Sequence, residues 1–479
     1  MQSALPPDHR RQLGRIRFRR AVALMLMTLV LPGSAQLVAG RKETGRIAMR
    51  IWFGLIVSFG LLLLIGLVNN TFVIEFFTNT TILTLLRFGL MGLAIGWAYL
   101  FIDAWRIGEP LALAQKQRLA MVGINGVLCF AVAGALLFAS HIVTVQKDWI
   151  TTMFGTGKAQ ETTDGRYNVL LLGGDSGADR WGLRPDSITV VSIDAKTGKS
   201  VLFGLPRNML NFPFAKGSIM DMQFPDGFNC GPECELNSLA TWAADHKPLF
   251  KGVKNPGVEA TSEAVEGITG LKIHYFAMVN LKGFRKMVDA VGGVTLNVRD
   301  RIPIGGVGGP VTGYIEPGKR KLNGFDTLWF ARSRESADDY SRMARQKCVM
   351  NAMLHQLSPT KVVTKFGDIA KASTQLIKTN IPRSEISTFT ELALKARSQP
   401  VRTVSFVPPM INTGKPDIAK IKKAVKQAIH PKKAKKGAGK SGTAKAGSPA
   451  KNQGTTGGAI GSLRSGYAAN QADDLGAAC

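Results

Sequence analysis

The sequence predicts an α/β domain preceded by a helical, multi-span membrane region. Three observations carry that expectation. Four apolar segments occupy the first third of the chain, at about 21–39, 51–69, 82–102 and 119–143. Further on, apolar or β-branched runs recur at Val169–Leu172, Ser187–Ile193 and Ser200–Leu205. Such runs suit strands buried on both faces. Helix-patterned stretches alternate with strand-like ones from residue 257 onward, as α/β domains require.

The composition bounds the class. The chain has 479 residues, 45% of them apolar, a net charge of +28 and a pI near 10.1. That charge alone would suit nucleic acid. The membrane-length apolar runs argue against it, and the basic residues gather in an amino-terminal cluster and a carboxy-terminal tail. Such clusters suit anionic lipid or polymer equally well. Zinc-ligand spacing, a P-loop, a GxSxG element and internal repeats are all missing from the sequence.

In chain order, residues 1–20 form a basic tail with Arg10, Arg11, Arg15, Arg17, Arg19 and Arg20. Residues 21–143 form the membrane region. A span needs about 20 apolar residues. The segments at 51–69, 82–102 and 119–143 qualify, whereas 21–39 is broken by Pro32-Gly33-Ser34 and Gln36 and reads as re-entrant or interfacial. Arg41, Lys42, Arg46 and Arg50 precede the first span, 70–80 has no Lys or Arg, and 103–118 has Arg106, Lys116 and Arg118. The positive-inside rule then places the amino terminus inside and residue 145 onward outside. Arg87 reads as an interfacial anchor. Residues 144–166 read as a Thr/Gly/Lys-rich linker before a domain over 167–430.

The stretch from Asn168 to Asn208 organises that domain. Its first strand stops at Gly173-Gly174 and delivers Asp175. A loop with Arg180, Arg184 and Asp186 follows, and the third strand ends at Pro206-Arg207. Two carboxylates and three arginines suit a metal ion with a polyphosphate, since carboxylates hold a hard cation and guanidiniums fork onto phosphate oxygens. The same loop taken alone also reads as a solvated loop with surface ion pairs. A second stretch, Leu328–Gln346, adds Arg332 and Arg334 on what reads as a strand end at Trp329–Ala331. Two apart on a strand, they would share a face. A helix then carries Arg342, Arg345 and Gln346, with Arg342 and Gln346 four apart on one face.

At these residues the chain resembles the LytR–CpsA–Psr family of wall-polymer transferases. The matching elements are GGDSG (173–177), RPDS (184–187), LPRN (205–208), LN (236–237), VDAVGGV (288–294), LNG (322–324), ARSR (331–334) and DYSRMARQ (339–346). They stand in the family's order over roughly 165–357. One departure is Asn208, where the family commonly has an acid. The resemblance implies an extracytoplasmic, α-β-α layered domain with a central mixed sheet flanked by helices. It implies a membrane-anchored phosphotransferase that moves a glycan with its proximal phosphate from a polyprenyl-pyrophosphate carrier to a peptidoglycan hydroxyl. The glycan would be a wall polymer such as teichoic acid or arabinogalactan. The partners implied are that lipid-linked glycan, peptidoglycan and membrane lipids, without nucleic acid.

The resemblance also assigns roles. Asp175 and Asp186 would place Mg²⁺ (or Mn²⁺). Arg184, Arg207, Arg332 and Arg334 would grip the reacting phosphate, with Arg180, Arg342, Arg345, Gln346 and Asn237 completing the pyrophosphate site. Asp339 would either accept the acceptor's proton or orient an arginine. Two rival classes fit the arginines as well: a non-catalytic lipid-phosphate-binding regulator, and a pyrophosphatase using water. The family's lipid cavity would be lined by residues such as Phe276, Met278, Phe284, Met287 and Val288, which are core residues by default.

The remaining stretches complete the domain. Cys230 and Cys234 are spaced for a local disulfide that would fix the loop leading to Asn237. Cys348 reads as a small buried apolar residue, Cys129 lies within the fourth apolar segment, and Cys479 is left over. His274 reads as structural or exposed. Helices are expected at 257–270 and 281–291, strands at 274–280 and 294–298, and a Gly/Pro-rich loop at 302–317. Two further helices (360–378, 383–396) and a strand (401–408) follow. From 431 to 479 the Lys/Gly/Ala-rich composition predicts a disordered tail.

Overall fold

A computed structural model describes residues 7–68, 70–155, 157–175, 184–306, 308–335, 338–356, 377–431 and 468–479. The chain forms two compact units, Met1–Thr151 and Thr152–Cys479.

In the first unit, α1 (Pro7–Val30) begins inside the basic stretch. The tail expected at 1–20 is therefore helical from Pro7, because its Arg, Gln and Leu are good helix formers that outweigh Gly14, and no proline interrupts it before Pro32. Pro32 and Gly33 end it, and the short α2 (Ser34–Val38) follows. Gly33 has φ 94°, and a Cβ there would lie 2.6 Å from the Gly45 carbonyl oxygen. Glycine thus lets α2 meet α3 (Lys42–Val68) backbone to backbone. Next come α4 (Asn70–Thr78), α5 (Thr80–Ile107, capped by Asn79) and α6 (Gln115–Met153). Ala21, Leu24, Met25, Ala35, Ala104, Leu113 and Met121 form one core. Buried Gln36 donates to the Leu100 carbonyl at 3.1 Å, and Arg41 pairs with buried Asp103. Among the described residues three helical stretches are long and apolar enough to cross a membrane: Lys42–Val68, Thr80–Ala112 and Gln115–Met153. The segment 21–39 is not one of them, as its Pro32-Gly33 break predicts.

In the second unit the sheet strands are β1 (Arg166–Asp175), β2 (Arg184–Asp194), β3 (Ser200–Leu205) and β4 (Tyr275–Asn280), with three short strands added later in the chain. Between β3 and β4 lie α7 (Ile219–Gln223), α8 (Leu239–Asp245) and α9 (Pro256–Thr269). Pro256 starts α9 and Gly270, at φ 72°, ends it in the left-handed conformation that glycine adopts freely. After β4 come α10 (Leu281–Ala290), β5 (Val294–Val298), β6 (Ile302–Gly305), β7 (Val311–Ile315), β8 (Gly318–Leu322), α11 (Gly324–Arg332) and α12 (Asp339–Gln356). The chain closes with β9 (Ile377–Thr379), α13 (Ile386–Ala396), β10 (Arg402–Ser405), α14 (Ile418–Ile429), β11 (Gln471–Ala472) and α15 (Leu475–Ala478).

The seven strands described in the main sheet run β11-β10-β3-β2-β1-β4-β9. β1 pairs antiparallel with β2 but parallel with β4, and β3 is antiparallel to β2 but parallel to β10. The sheet is therefore mixed. Alternation along β3 explains its full burial: Val201, Phe203 and Leu205 face the main core with Ile268 of α9 and Ile421 and Val425 of α14, while Leu202 faces Ala344 of α12. Helices cover both faces, giving the α-β-α layering. A smaller core joins β5, β8 and the β6–β7 hairpin to α10, α11 and α12 through Val288, Leu296, Ile315, Phe330 and Val349.

Several expectations need correction. The stretch 302–317 is a β-hairpin, not a loop; its Gly residues make the turn and the bulge between short strands. The linker 144–166 is helical to Met153, and Gly155 bridges to Pro382 while Thr163 bridges to Arg166. The tail 431–479 is ordered from Ala468 on, because Ala469 and Leu475 are buried and β11 adds to β10. Residues 432–467, and most of the helix expected at 360–378, lie outside the described residues. Cys348 and Cys479 are not separate thiols but a disulfide, which sequence separation concealed. Of the two readings of His274 the structural one holds: it is buried, its Nδ1 accepts from the Asn168 amide at 3.0 Å and its Nε2 meets Thr163 Oγ1 at 3.0 Å.

Candidate functional site

The site forms where β2, β3 and α12 meet. A β-bulge on β2 opposite Gly173-Gly174 leaves Asp186 without a ladder partner, since Gly173 pairs with Ser187 and Gly174 with Pro185. Bulges re-aim a side chain next to functional sites, and this one releases Asp186. β3 delivers Arg207 just past its end. The backbone around it is tied to the next loop: Asn237 N–H donates to the Arg207 carbonyl and Leu236 N–H to that of Met209, both at 3.0 Å. The Cys230–Cys234 disulfide closes the turn before them. Asn237 thus enters the site through its backbone.

The first turn of α12 supplies the opposing wall. Asp338 Oδ1 accepts from the Ser341 amide at 2.8 Å, a capping bond for the helix start. Asp339 then faces three guanidiniums. Arg207 Nε donates to its Oδ2 at 2.9 Å, Arg342 lies at 3.5 Å and Arg334 at 3.6 Å. Arg207 also donates to Asp186 Oδ1 at 2.6 Å, bridging the two carboxylates.

The electrostatics follow from that geometry. Burial opposes ionisation of Asp339, but Arg342, Arg207 and Arg334 outweigh it and hold its carboxyl below the usual carboxylate range. Burial likewise opposes charge on Arg207, and Asp339 and Asp186 reverse the balance upward. Arg342 is 3% exposed, and burial, ahead of the Asp339 attraction, lowers its pKa. Guanidiniums outnumber carboxylates around Asp339, so the cluster attracts a multivalent anion. Its planar forks suit phosphate oxygens.

The other expected residues are placed differently. Arg332 and Arg334 do not share a strand face. Asn323 accepts from the Asp326 amide at 2.8 Å and caps α11, so Trp329–Arg332 is the end of a helix. Short apolar runs do not distinguish the two by pattern. Arg332 is exposed, with its guanidinium 5.7 Å from the centre of the Trp329 ring, while Arg334 reaches Asp339. Arg345 is 7% exposed and donates to the carbonyls of Phe330 and Ser333. Burial and the neighbouring Arg342 charge push its pKa down to about 10. Gln346 donates to the Ala331 carbonyl at 3.2 Å. Arg345 and Gln346 therefore tie α12 to the end of α11. Arg184 is exposed, with its Cα opposite Asp175. Arg180 and the Asp175 side chain lie outside the described residues.

Two residues escaped the sequence reading. Lys347 is fully buried in α12, and Asn470 is 1% exposed beside it. Lys347 stands four residues after Met343 and three after Ala344, the one hint that it points inward. The expected cavity residues divide between the two cores. Val288 and Phe284 pack in the smaller one, and Met278 against the larger. Phe276 lines a cavity of about 750 Å³ beside α9, with Glu259, Glu263, Lys216 and Lys254; among the described residues no arginine lines it.

A family model described as the LytR_cpsA_psr family matches residues 143–427, more than half the chain. The Biofilm regulatory protein A of Streptococcus mutans is 28% identical over 258 residues, covering 52% of this chain and 58% of that protein. The polyisoprenyl-teichoic acid–peptidoglycan teichoic acid transferase TagU of Oceanobacillus iheyensis is 27% identical over 224 residues, covering 46% and 61%. The chain thus spans about six tenths of the length of these curated relatives. Among solved structures, TagV of B. subtilis aligns with a TM-score of 0.39 at 22% identity, covering 56% of this chain and 98% of that one.

Proposed function

The chain belongs to the LytR–CpsA–Psr family, and on that premise we propose that it is a membrane-anchored phosphotransferase of the outer membrane face. Its donor is a glycan carried on polyprenyl pyrophosphate, and its acceptor is a hydroxyl of peptidoglycan. The observation that carries this reading is Arg207 bridging Asp186 and Asp339 within a ring of guanidiniums. The names of relatives such as TagU support a wall polymer as cargo. The three apolar helices support a multi-pass anchor. The two disulfides support an oxidising, extracytoplasmic setting.

Phosphoryl transfer is mostly positioning and electrostatics. Arg207, Arg334 and Arg342 neutralise the pyrophosphate and hold its sugar-proximal phosphorus toward the acceptor. The acceptor oxygen forms a new bond to that phosphorus, the bridging P–O bond breaks, and polyprenyl phosphate leaves, its freed oxygen taking up the proton that the hydroxyl gives up. Asp339 is a poor proton acceptor, because three guanidiniums hold it ionised. Its part is to orient them.

Paired carboxylates at the ends of neighbouring strands would suit a hard cation. Asp186 is half-exposed, and the backbone of Asp175 ends β1 opposite Arg184, close along the ladder. Mg²⁺ is commonly held by one or two carboxylates with water and substrate phosphates. We assign Asp175 and Asp186 to Mg²⁺ or Mn²⁺, which when bound supplies further charge neutralisation at the pyrophosphate.

The test is to incubate the full chain in detergent with a polyprenyl-pyrophosphate glycan, Mg²⁺ and peptidoglycan, and to analyse products by mass spectrometry. A phosphodiester-linked product that requires the acceptor supports transfer. Acceptor-independent release of polyprenyl phosphate would make the protein a pyrophosphatase, and donor binding without turnover would make it a regulator.

A further inference from the structure

The carboxy-terminal segment Ala468–Cys479 is built into the helix that carries the site. Ala469 and Leu475 pack against Leu202, Ala344 and Val401. Thr403 Oγ1 donates to the Ala469 carbonyl at 2.9 Å and accepts from the Ala472 amide at 3.1 Å. Cys479 is bonded to Cys348 of α12. At the centre, Asn470 uses both ends of its amide. Its Oδ1 accepts from Lys347 Nζ at 2.9 Å and from Ser405 Oγ at 3.0 Å. Its Nδ2 donates to the Tyr340 carbonyl at 2.8 Å. The two donors fix the orientation: a flipped amide would set NH₂ against the Lys347 ammonium. Tyr340 follows Asp339 and precedes Arg342 by two residues.

We infer that Asn470 is a positioning residue for the arginine site. Carried in by the carboxy-terminal segment and tethered through Cys348–Cys479, it holds the Tyr340 carbonyl and so fixes where Asp339 and Arg342 stand relative to Arg207. Helix starts fray unless something outside the helix holds them. Asp338 caps the start of α12 from within the chain leading into it. Asn470 holds the same turn from a segment 130 residues away. Gly204 of β3 belongs to the device, because a Cβ there would lie 2.8 Å from Lys347 Nζ. A side chain at 204 would also lie 2.9 Å from Ser405 Oγ, so both donors to Asn470 would have to shift. The kinetic consequence rests on the transferase reading; the geometry does not.

The discriminating variant is Asn470→Asp. It keeps an acceptor for Lys347 and Ser405 and removes the donor to Tyr340. In the full chain we expect kcat for transfer to fall about tenfold with KM for the donor within about twofold, since the arginines still bind phosphate but no longer meet the transition state in register. Amide exchange over 342–346 should rise about tenfold while α9 is unchanged. Cys479→Ser is a second variant that unties the segment without touching the buried amide; it should move both readouts the same way, by less. Wild-type kcat and unchanged α12 exchange in both variants would overturn the inference. So would a lowered melting temperature with kcat per folded molecule intact, which makes Asn470 structural only. A wild-type chain that transfers nothing sinks the transferase reading, and α12 exchange alone then decides the inference.

Discussion

Lys347 makes the fold's stability depend on pH in a calculable way. Its ammonium is fully buried and, among the described residues, donates to Asn470 Oδ1 at 2.9 Å and to the Met343 carbonyl at 3.5 Å, with no carboxylate in salt-bridge range. Burial pushes its pKa from 10.5 down to about 7. At about 1.4 kcal/mol per unit, holding the lysine charged in the folded state costs about 5 kcal/mol. The unfolded chain binds the proton more tightly, so stability rises with pH between about 7 and 10.5. The cost is fully present below that window and gone above it. From pH 7 to pH 9 the gain integrates to about 2 kcal/mol. Lys347→Met removes the titrating group while keeping the length of the side chain. Urea denaturation of the full chain in detergent, followed by near-ultraviolet circular dichroism at both pH values, should show wild type gaining about 2 kcal/mol over the variant. Equal pH responses in the two proteins would refute the reasoning.

Further outcomes can be checked separately. Arg207→Ala removes the bridge between Asp186 and Asp339, so transfer should fall about tenfold to hundredfold, one charge-assisted contact being worth about 1.5–3 kcal/mol; Arg207→Lys should recover only part, because it lacks the fork. Full melting stability with a normal rate in Arg207→Ala would place the reaction elsewhere. A non-reduced peptide map should show Cys230 joined to Cys234 and Cys348 to Cys479, with Cys129 alkylated; free Cys479 would remove the tether. A reporter fused after residue 150 should be active only outside the cytoplasm, and one at residue 45 only inside; the reverse would overturn the orientation.

Local signals explain what the sequence made legible. The strands at 169–172, 187–193 and 200–205 carry apolar or β-branched runs, and the helix over 257–270 is bracketed by Pro256 and Gly270. Asp186, Arg207 and Asp339 were singled out by residue type and order, and the structure brings them within hydrogen-bond reach. The end of α11 was misread because Trp329-Phe330-Ala331 is too short to show a period. Arg345 looked like a phosphate ligand because its backbone acceptors at Phe330 and Ser333 leave no trace in sequence. The link from Lys347 to Asn470 spans 123 residues, and that of Cys348 to Cys479 spans 131. Contacts at such separation are set by how the sheet brings distant segments together, so no local pattern announces them.

The central claim is that the glycan moves together with its proximal phosphate. A donor labelled with ³²P only at the sugar-proximal phosphorus tests this directly. The account predicts label in an acid-labile phosphodiester on peptidoglycan and unlabelled polyprenyl monophosphate. Label released as free phosphate, or retained on the lipid while glycan reaches peptidoglycan, would contradict it.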